Sequence, residues 1–195
     1  MTKKLLNLLA LMFTLVLTFT LVSCGDTEEV TEEEWNKFFS LDGYDSFTIK
    51  YEEQRGVGDR LKKASGTFKY TTTDTGCAFT DTYKDFSDTK SEKMNSLVLA
   101  PFGTKFFEEV LEYMPSFYEN DGAILFSNFT YNEETMAYET TETIDDPELS
   151  IKLCVYFKSG MLDKITLSCD DKTDDKDYTY ESTLIFSDWN KTELK

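Results

Sequence analysis

The sequence predicts an α+β domain, in which short helical segments accompany a run of antiparallel strands. Three observations predict it. Apolar and polar residues alternate over several stretches, as in Phe47, Ile49 and Tyr51 against Thr48, Lys50 and Glu52, or Ile151, Leu153, Val155 and Phe157 against Lys152, Cys154 and Tyr156. Phe106, Phe107, Val110, Leu111 and Met114 instead recur at i, i+1, i+4, i+5 and i+8, the spacing of one helix face. Turn-forming clusters punctuate the alternating stretches at short intervals, which suits hairpins rather than crossovers.

The elements follow in order. Thr31-Glu32-Glu33-Glu34 fits a capping box, with Thr31 as N-cap and Glu34 reaching back. Val30 and Trp35 stand at the staple positions, and Trp35, Phe38 and Phe39 form one apolar face of a helix ending near Ser40 to Gly43. A strand follows around 47–52, then a turn at Gly56-Val57-Gly58-Asp59. A longer strand is expected from Leu61 to Thr72, with Gly66 as a bulge position. Asp74-Thr75-Gly76 turns the chain into a strand from Cys77 to Tyr83. The helical stripe lies within 91–118 and is bounded by Pro115; a shorter helix is expected over Glu92 to Ala100, before Pro101. Strands over Ile124 to Tyr131 and Met136 to Thr143 flank the polar loop Asn132-Glu133-Glu134-Thr135. Lys158-Ser159-Gly160 fits a three-residue hairpin loop. In that register Phe157 faces Met161, Leu153 faces Ile165 and Ile151 faces Leu167, so Cys154 and Cys169 fall on opposite faces. Tyr178 to Ser187 is the last strand, completing a meander of four or five.

The segment before Thr31 is of another kind. Lys3 and Lys4 precede an uncharged, mostly apolar run from Leu5 to Val22, which ends in Leu21-Val22-Ser23-Cys24. This is the pattern of a secretory signal peptide. A transmembrane helix has similar length. However, Asn7, Thr14, Thr18 and Thr20 dilute the run, and Gly25 and Asp26 follow it in place of a basic stop. Leu-Val-Ser-Cys resembles the lipobox of bacterial lipoproteins. That resemblance implies a diacylglyceryl group on the Cys24 thiol and removal of residues 1–23. The expected organisation is therefore a signal peptide (1–23), an anchor and tether (24–30) and one domain (31–195) on the outer side of a cell membrane. Two acyl chains suffice as an anchor where one does not.

Composition narrows the function. The formal charge is −17, and the leader holds two lysines and no acid, so the chain after it stands near −19. Such a field repels nucleic acid and anionic headgroups. With no histidine, Ser-His-Asp and Cys-His catalysis and the commonest metal ligand are all missing. Arg55 and Arg60 are the only arginines. Carboxylate pairs carry no signal among 37 acids. No enzyme activity, cofactor or catalytic residue is expected. Cys77, Cys154 and Cys169 are an odd set after Cys24, read as small strand residues; if Cys77 bonds another, Cys169 is the partner expected. Asp170-Asp171-Lys172-Thr173-Asp174-Asp175-Lys176-Asp177 is either a solvated hairpin loop or a weak cation site without EF-hand spacing. The 16 Phe, 11 Tyr and 2 Trp are core residues on strand and helix faces, or in part the lining of a groove.

The order of elements after the lipobox, with Phe157 to Ile165 and Ile185-Phe186-Ser187-Asp188-Trp189-Asn190-Lys191-Thr192, resembles the LolA/LolB and LppX-type lipoproteins. The resemblance implies a strongly curved antiparallel sheet, an incomplete barrel, with helices packed on its concave face. It transfers no functional residue beyond Cys24, and the acidity of this chain departs from the basic character of LolA. Two expectations follow. One is a membrane-anchored module that binds a lipid or other apolar ligand between sheet and helices. The other is an envelope protein-protein interaction module with a filled core.

Overall fold

A computed structural model describes residues 29–97, 110–111, 114, 123–144, 149–171 and 178–194. Nine strands form one antiparallel sheet. They are β1 (Ser46–Val57), β2 (Arg60–Thr73), β3 (Gly76–Asp81), β4 (Phe86–Lys90), β5 (Thr130–Asn132), β6 (Ala137–Ile144), β7 (Leu149–Lys158), β8 (Met161–Asp171) and β9 (Tyr178–Ser187). The spatial order is β4-β3-β2-β1-β9-β8-β7-β6-β5. Two meanders, β1–β4 and β5–β9, are thus joined where the first strand pairs with the last. Edges remain at β4 and β5, so the sheet is not closed.

This corrects the expected α+β class with helices packed on a concave face. Among the described residues α1 (Glu32–Phe39) is the one α-helix with both ends in view, and the architecture is nearly all sheet. Two misread segments account for part of the difference. Phe86–Lys90, too short and polar to read as a strand, pairs with β3 over its whole length. Glu92 to Leu97, the described part of the expected helix over Glu92 to Ala100, is not helical. It is held by tertiary hydrogen bonds: Met94 N–H donates to the Tyr70 hydroxyl (3.2 Å) and Leu97 N–H to the Phe39 carbonyl (2.8 Å). Of the expected helix on the 106–114 stripe, Val110 and Leu111 are helical, and both are buried with Met114; Phe106 and Phe107 lie outside the described residues.

α1 starts as its sequence dictates. Thr31 N–H donates to the Glu34 carboxylate (2.8 Å) and Glu34 N–H to Thr31 Oγ1 (3.3 Å), so two of the helix's orphan donors are satisfied reciprocally. The Thr31 N–H, and after it the Thr31 hydroxyl, which donates to the same carboxylate (2.8 Å), hold the Glu34 carboxyl below its ordinary pKa. Trp35, Phe38 and Phe39 are buried from this helix. The sheet supplies the rest of the core from one face: Phe47, Ile49 and Tyr51 on β1, Ile151 to Phe157 on β7, Ile165 and Leu167 on β8, and Leu184 and Phe186 on β9.

The β7–β8 register departs from expectation. Ser159 and Gly160 both take positive φ (52° and 67°), which gives a two-residue turn of the type matched to strand twist. Phe157 then faces Leu162, and an irregularity at Tyr156/Phe157 sets Leu153 opposite Leu167 and Ile151 opposite Cys169. At the hairpin end the shift is one residue, so Leu162 takes the inward place expected of Met161; beyond the irregularity it is two residues and side chains keep their expected faces, so Cys154 and Cys169 do lie on opposite faces. Gly66 is no bulge. It pairs in register with Tyr51, and an added β-carbon would overlap the Tyr51 hydroxyl and stand 2.7 Å from Tyr83 Cβ. The expected strand over Ile124 to Tyr131 shortens to a 3-10 turn, Phe126–Asn128, followed by β5.

Candidate functional site

The described inner face divides into a packed apolar part and a polar part. Trp35 centres the first. It is fully buried, and its ring lies 4.9–5.7 Å from those of Phe39, Phe126, Phe129, Tyr138 and Phe157. Its Nε1–H donates to the Ile124 carbonyl (2.9 Å). Tyr138 ties the chain entry to this cluster: Val30 N–H donates to its hydroxyl (2.8 Å), which donates to the Val30 carbonyl (2.6 Å). A cavity beside the cluster, lined by Met114, Ile124, Phe129 and Leu153 among others, measures about 10 Å³. That is about the least volume that holds one water, so among the described residues the rings pack closely around Trp35.

The polar part follows along β1 and β9. Tyr51 is fully buried, and its hydroxyl donates to Asp81 Oδ1 (2.8 Å). The same oxygen accepts from Tyr83 N–H (2.9 Å) and Lys84 N–H (3.2 Å), so Asp81 fastens the β3–β4 turn to the sheet. Glu53 and Ser182 face each other in register and are buried, with Tyr180 next to them. Burial pushes the Tyr51 and Tyr180 hydroxyls far above their ordinary pKa, with the Asp81 hydrogen bond adding to the first and the Glu53 charge to the second. Both stay neutral donors at any ordinary pH. Neither is poised as an acid or base, whose pKa must lie near the working pH. This is a polar layer that holds strands in place.

A depression of about 530 Å³ lies over β2, β1 and β9, bordered also by Glu53 and Ala64, and a wider one of about 910 Å³ lies along α1. Two rows of outer-face side chains line the first. Ser65, Glu52 and Thr183 stand opposite one another across the three strands, and Lys63, Gln54 and Glu181 form the next row. The Gln54 amide donates to the Glu181 carboxylate. Tyr83, half exposed, borders the depression from the other face of the sheet, where its ring lies 6.3 Å from that of Tyr51. Elsewhere on the outer face polar groups pair within the sheet, as Lys152 does with Glu139 (2.8 Å) and Lys164 over the Tyr156 ring (3.9 Å).

Cys24 and the 1–23 leader lie outside the described residues, as do 172–177 of the acidic loop. Asp170 is exposed at the end of β8. Among the described residues no His, Cys, Asp and Glu side chains group as metal ligands, and no helix is long and apolar enough to cross a membrane. Cys77, Cys154 and Cys169 are buried and form no disulfide with one another. Burial raises the Cys154 thiol pKa, which makes it a poor nucleophile. The outer rows escaped sequence reasoning. Alternating polar residues on three strands read as a solvated face, and their alignment exists only once β1 pairs with β9, with Gln54 and Glu181 127 residues apart in the chain.

No protein-family profile matches this sequence, and no curated protein is significantly similar to it. Among solved structures, a LolA superfamily protein from Nitrosomonas europaea is similar to it, at 12% identity over 86% of this chain and 96% of that one, with a TM-score of 0.31.

Proposed function

We propose that this chain is a membrane-anchored, non-catalytic envelope lipoprotein that acts as an interaction module with a filled core. The observation that carries the filled-core reading is the aromatic cluster on Trp35, beside a cavity of about 10 Å³. An acyl chain needs an open apolar slot, and the described residues around Trp35 leave none there. The anchor reading rests on Lys3, Lys4, the apolar run and Leu21-Val22-Ser23-Cys24. From Cys24 to Val30, where the chain is bonded to Tyr138, the tether spans at most ~20 Å. The domain is thereby held close to the bilayer, while its negative charge keeps it off anionic headgroups.

A second reading, a carrier of a lipid or other apolar ligand, draws on a different feature. Phe47, Phe68, Phe79 and Phe86 share the inner face of neighbouring strands, with Phe68 to Phe79 at 5.8 Å and Phe79 to Phe86 at 5.5 Å. The row runs from the core to Phe86, which is 43% exposed. An apolar ligand entering from the β4 edge would meet this row first.

One preparation tests both. Intact mass of the membrane-extracted chain is expected to show a diacylglyceryl mass on a product starting at Cys24, and Cys24→Ser to abolish processing. A mature N-terminus elsewhere without acyl mass refutes the anchor. Native mass spectrometry of the same protein is expected to show no cargo. A co-purifying lipid in addition to the anchor refutes the filled core and selects the carrier.

A further inference from the structure

The first half of β2 is an unfinished edge of the sheet. β3 pairs with β2 only over Phe68–Thr73. Thr82 makes the last bonds of that seam: its N–H donates to the Thr67 carbonyl (3.0 Å), and its hydroxyl accepts from the Thr67 N–H (2.8 Å). The β3–β4 turn then folds the chain back along β3, and among the described residues Arg60–Gly66 pairs with β1 alone. Along a strand the backbone groups point alternately to its two sides. Those of Thr67 point away from β1, and the β1–β2 register runs without irregularity from Ser46 to Val57. The N–H and C=O groups of Leu61, Lys63 and Ser65 therefore point out of the sheet, where no described strand meets them.

This edge has the opposite charge to the rest of the molecule. Arg60, Lys62 and Lys63 are exposed and make no hydrogen bond or ion pair with another described residue. Arg55 stands opposite Lys62 on β1, so the edge holds both arginines of the chain. From Arg55 to Ser65 there are four basic residues and one acid, Asp59, in a chain of net charge −17. Leu61, 40% exposed, lies between them on the outer side. At the Gly66 end, Tyr83 stands half exposed beside the edge on the inner side, and Gly66 has no side chain to hold it off.

An occupant must offer both strand backbone and negative charge. An anionic bilayer offers charge alone, and a strand edge does not enter hydrocarbon with its N–H and C=O groups unpaired. A second copy joined through the same edge by two-fold symmetry would set Lys62 and Lys63 against their like. An acidic extended segment meets both needs, since strand addition draws affinity from the backbone and specificity from alternate side chains. The exposed acids Glu52 and Glu181 stand two and three strand spacings, about 10 Å or more, from an added strand. At ~0.15 M salt, with a Debye length of ~8 Å, they are largely screened from it. We propose that the free edge of β2 receives an extended acidic segment of a partner protein, which adds a strand beside Arg60–Ser65 and sets acidic side chains on Arg60, Lys62 and Lys63. This partner chemistry deepens the interaction-module reading and rests on it.

The edge itself dictates the probe. Opposite Ser65 to Arg60, an antiparallel strand reads Thr-Val-Glu-Glu-Val-Glu, with valines beside Tyr83 and Leu61 and glutamates on the three basic residues. This peptide, capped at both ends and carrying a fluorophore, is titrated with the full chain in a neutral detergent at ~0.15 M salt, and its anisotropy is read. Saturable binding is expected. Lys62→Glu, at an exposed position, is expected to weaken it about tenfold or more. Ser65→Pro, which removes one outward N–H and no bond to β1, is expected to weaken it by a similar factor. The same peptide N-methylated along the side that faces β2, and one with lysine for glutamate, are expected not to bind. No binding of the acidic peptide, or binding indifferent to Lys62→Glu, overturns the proposal. Binding kept by the N-methylated peptide also overturns it, because the edge would then read charge alone, as a bilayer contact does. So does a dimer, seen by light scattering, that Lys62→Glu disperses. Lipid found in the core by native mass spectrometry would refute the filled core and leave the peptide titration readable on its own.

Discussion

Replacing Trp35 by phenylalanine separates what its ring packs from what its nitrogen bonds. The variant keeps an aromatic ring in the cluster with Phe39, Phe126, Phe129, Tyr138 and Phe157. It removes roughly 40 Å³ of side chain, which at ~24 cal/mol per Å³ of unrelieved cavity costs ~1 kcal/mol. It also removes the Nε1–H donated to the Ile124 carbonyl. Ile124 is 5% exposed, so bulk water does not reach its carbonyl and only a water trapped in the vacated space could take the donor's place. A buried carbonyl left without its partner costs ~1–3 kcal/mol. Together these give ~2–4 kcal/mol, against ~3–5 kcal/mol for Trp35→Ala. Urea unfolding followed by circular dichroism measures the change as a lowered midpoint at unchanged slope. The thermal midpoint should fall by ~2–4 °C per kcal/mol for a chain of this length. Trp189→Phe is the internal comparison. Trp189 is only partly buried, and its Nε1–H donates to Leu162 at a longer 3.3 Å, so its loss should cost about 1 kcal/mol or less. A Trp35→Phe protein within ~0.5 kcal/mol of the parent, the scatter of innocuous surface changes, would show that this cluster does not hold the fold.

Three further outcomes are expected. Gly66→Ala should destabilise by ~1–3 kcal/mol in urea, because the new methyl overlaps the Tyr51 hydroxyl and forces it off Asp81; a neutral result places Tyr51 elsewhere. Asp81→Ala leaves the buried Tyr51 hydroxyl and two turn N–H groups without their acceptor. It should cost ~2–4 kcal/mol, and the Tyr83 and Lys84 amides should exchange faster than in the parent. Finally, Tyr51 and Tyr180 have folded-state pKa values raised above the unfolded ~10. Their contribution is therefore complete below pH ~10 and is lost as pH rises beyond it, since the unfolded chain releases those protons first. Stability should be flat on the approach to pH ~10 and fall above it, with tyrosinate absorbance from the buried rings appearing only as the protein unfolds. Full tyrosinate absorbance from a still-folded protein would contradict the burial of both hydroxyls.

The parts legible in the sequence were those governed by neighbours in the chain. Thr31 and Glu34 are three residues apart, so the capping box at α1 could be read directly, and the structure forms it. The strand from Tyr178 to Ser187 was bounded correctly because its alternation is regular and its flanks are polar. Local rules gave less where tertiary contacts decide. Phe86 to Lys90 has no apolar pattern because every residue in it is exposed, and it is a strand only through β3 beside it. The segment at Glu92 takes its path from Tyr70 and Phe39. Gly66 was read as a bulge because glycine in a strand usually signals broken pairing. Here it makes room for a neighbour's ring while the pairing stays intact. The outer rows of the candidate site were illegible for the strongest reason: no local window contains both Glu52 and Glu181.

The seam between β1 and β9 has a kinetic consequence. Either meander can pair its own strands by local hairpins, but the two halves meet only when Thr48 to Val57 finds Tyr178 to Ser187. That closure spans most of the chain and pays the largest loop entropy in the molecule, so it belongs late in folding. During synthesis, which delivers the N-terminal half first, β1 waits with one side of its backbone unpaired until the last strand arrives. The interval is when this protein is most open to wrong partners. A chain that stops short of Tyr178 would leave β1 and β8 as permanent edges and turn one sheet into two.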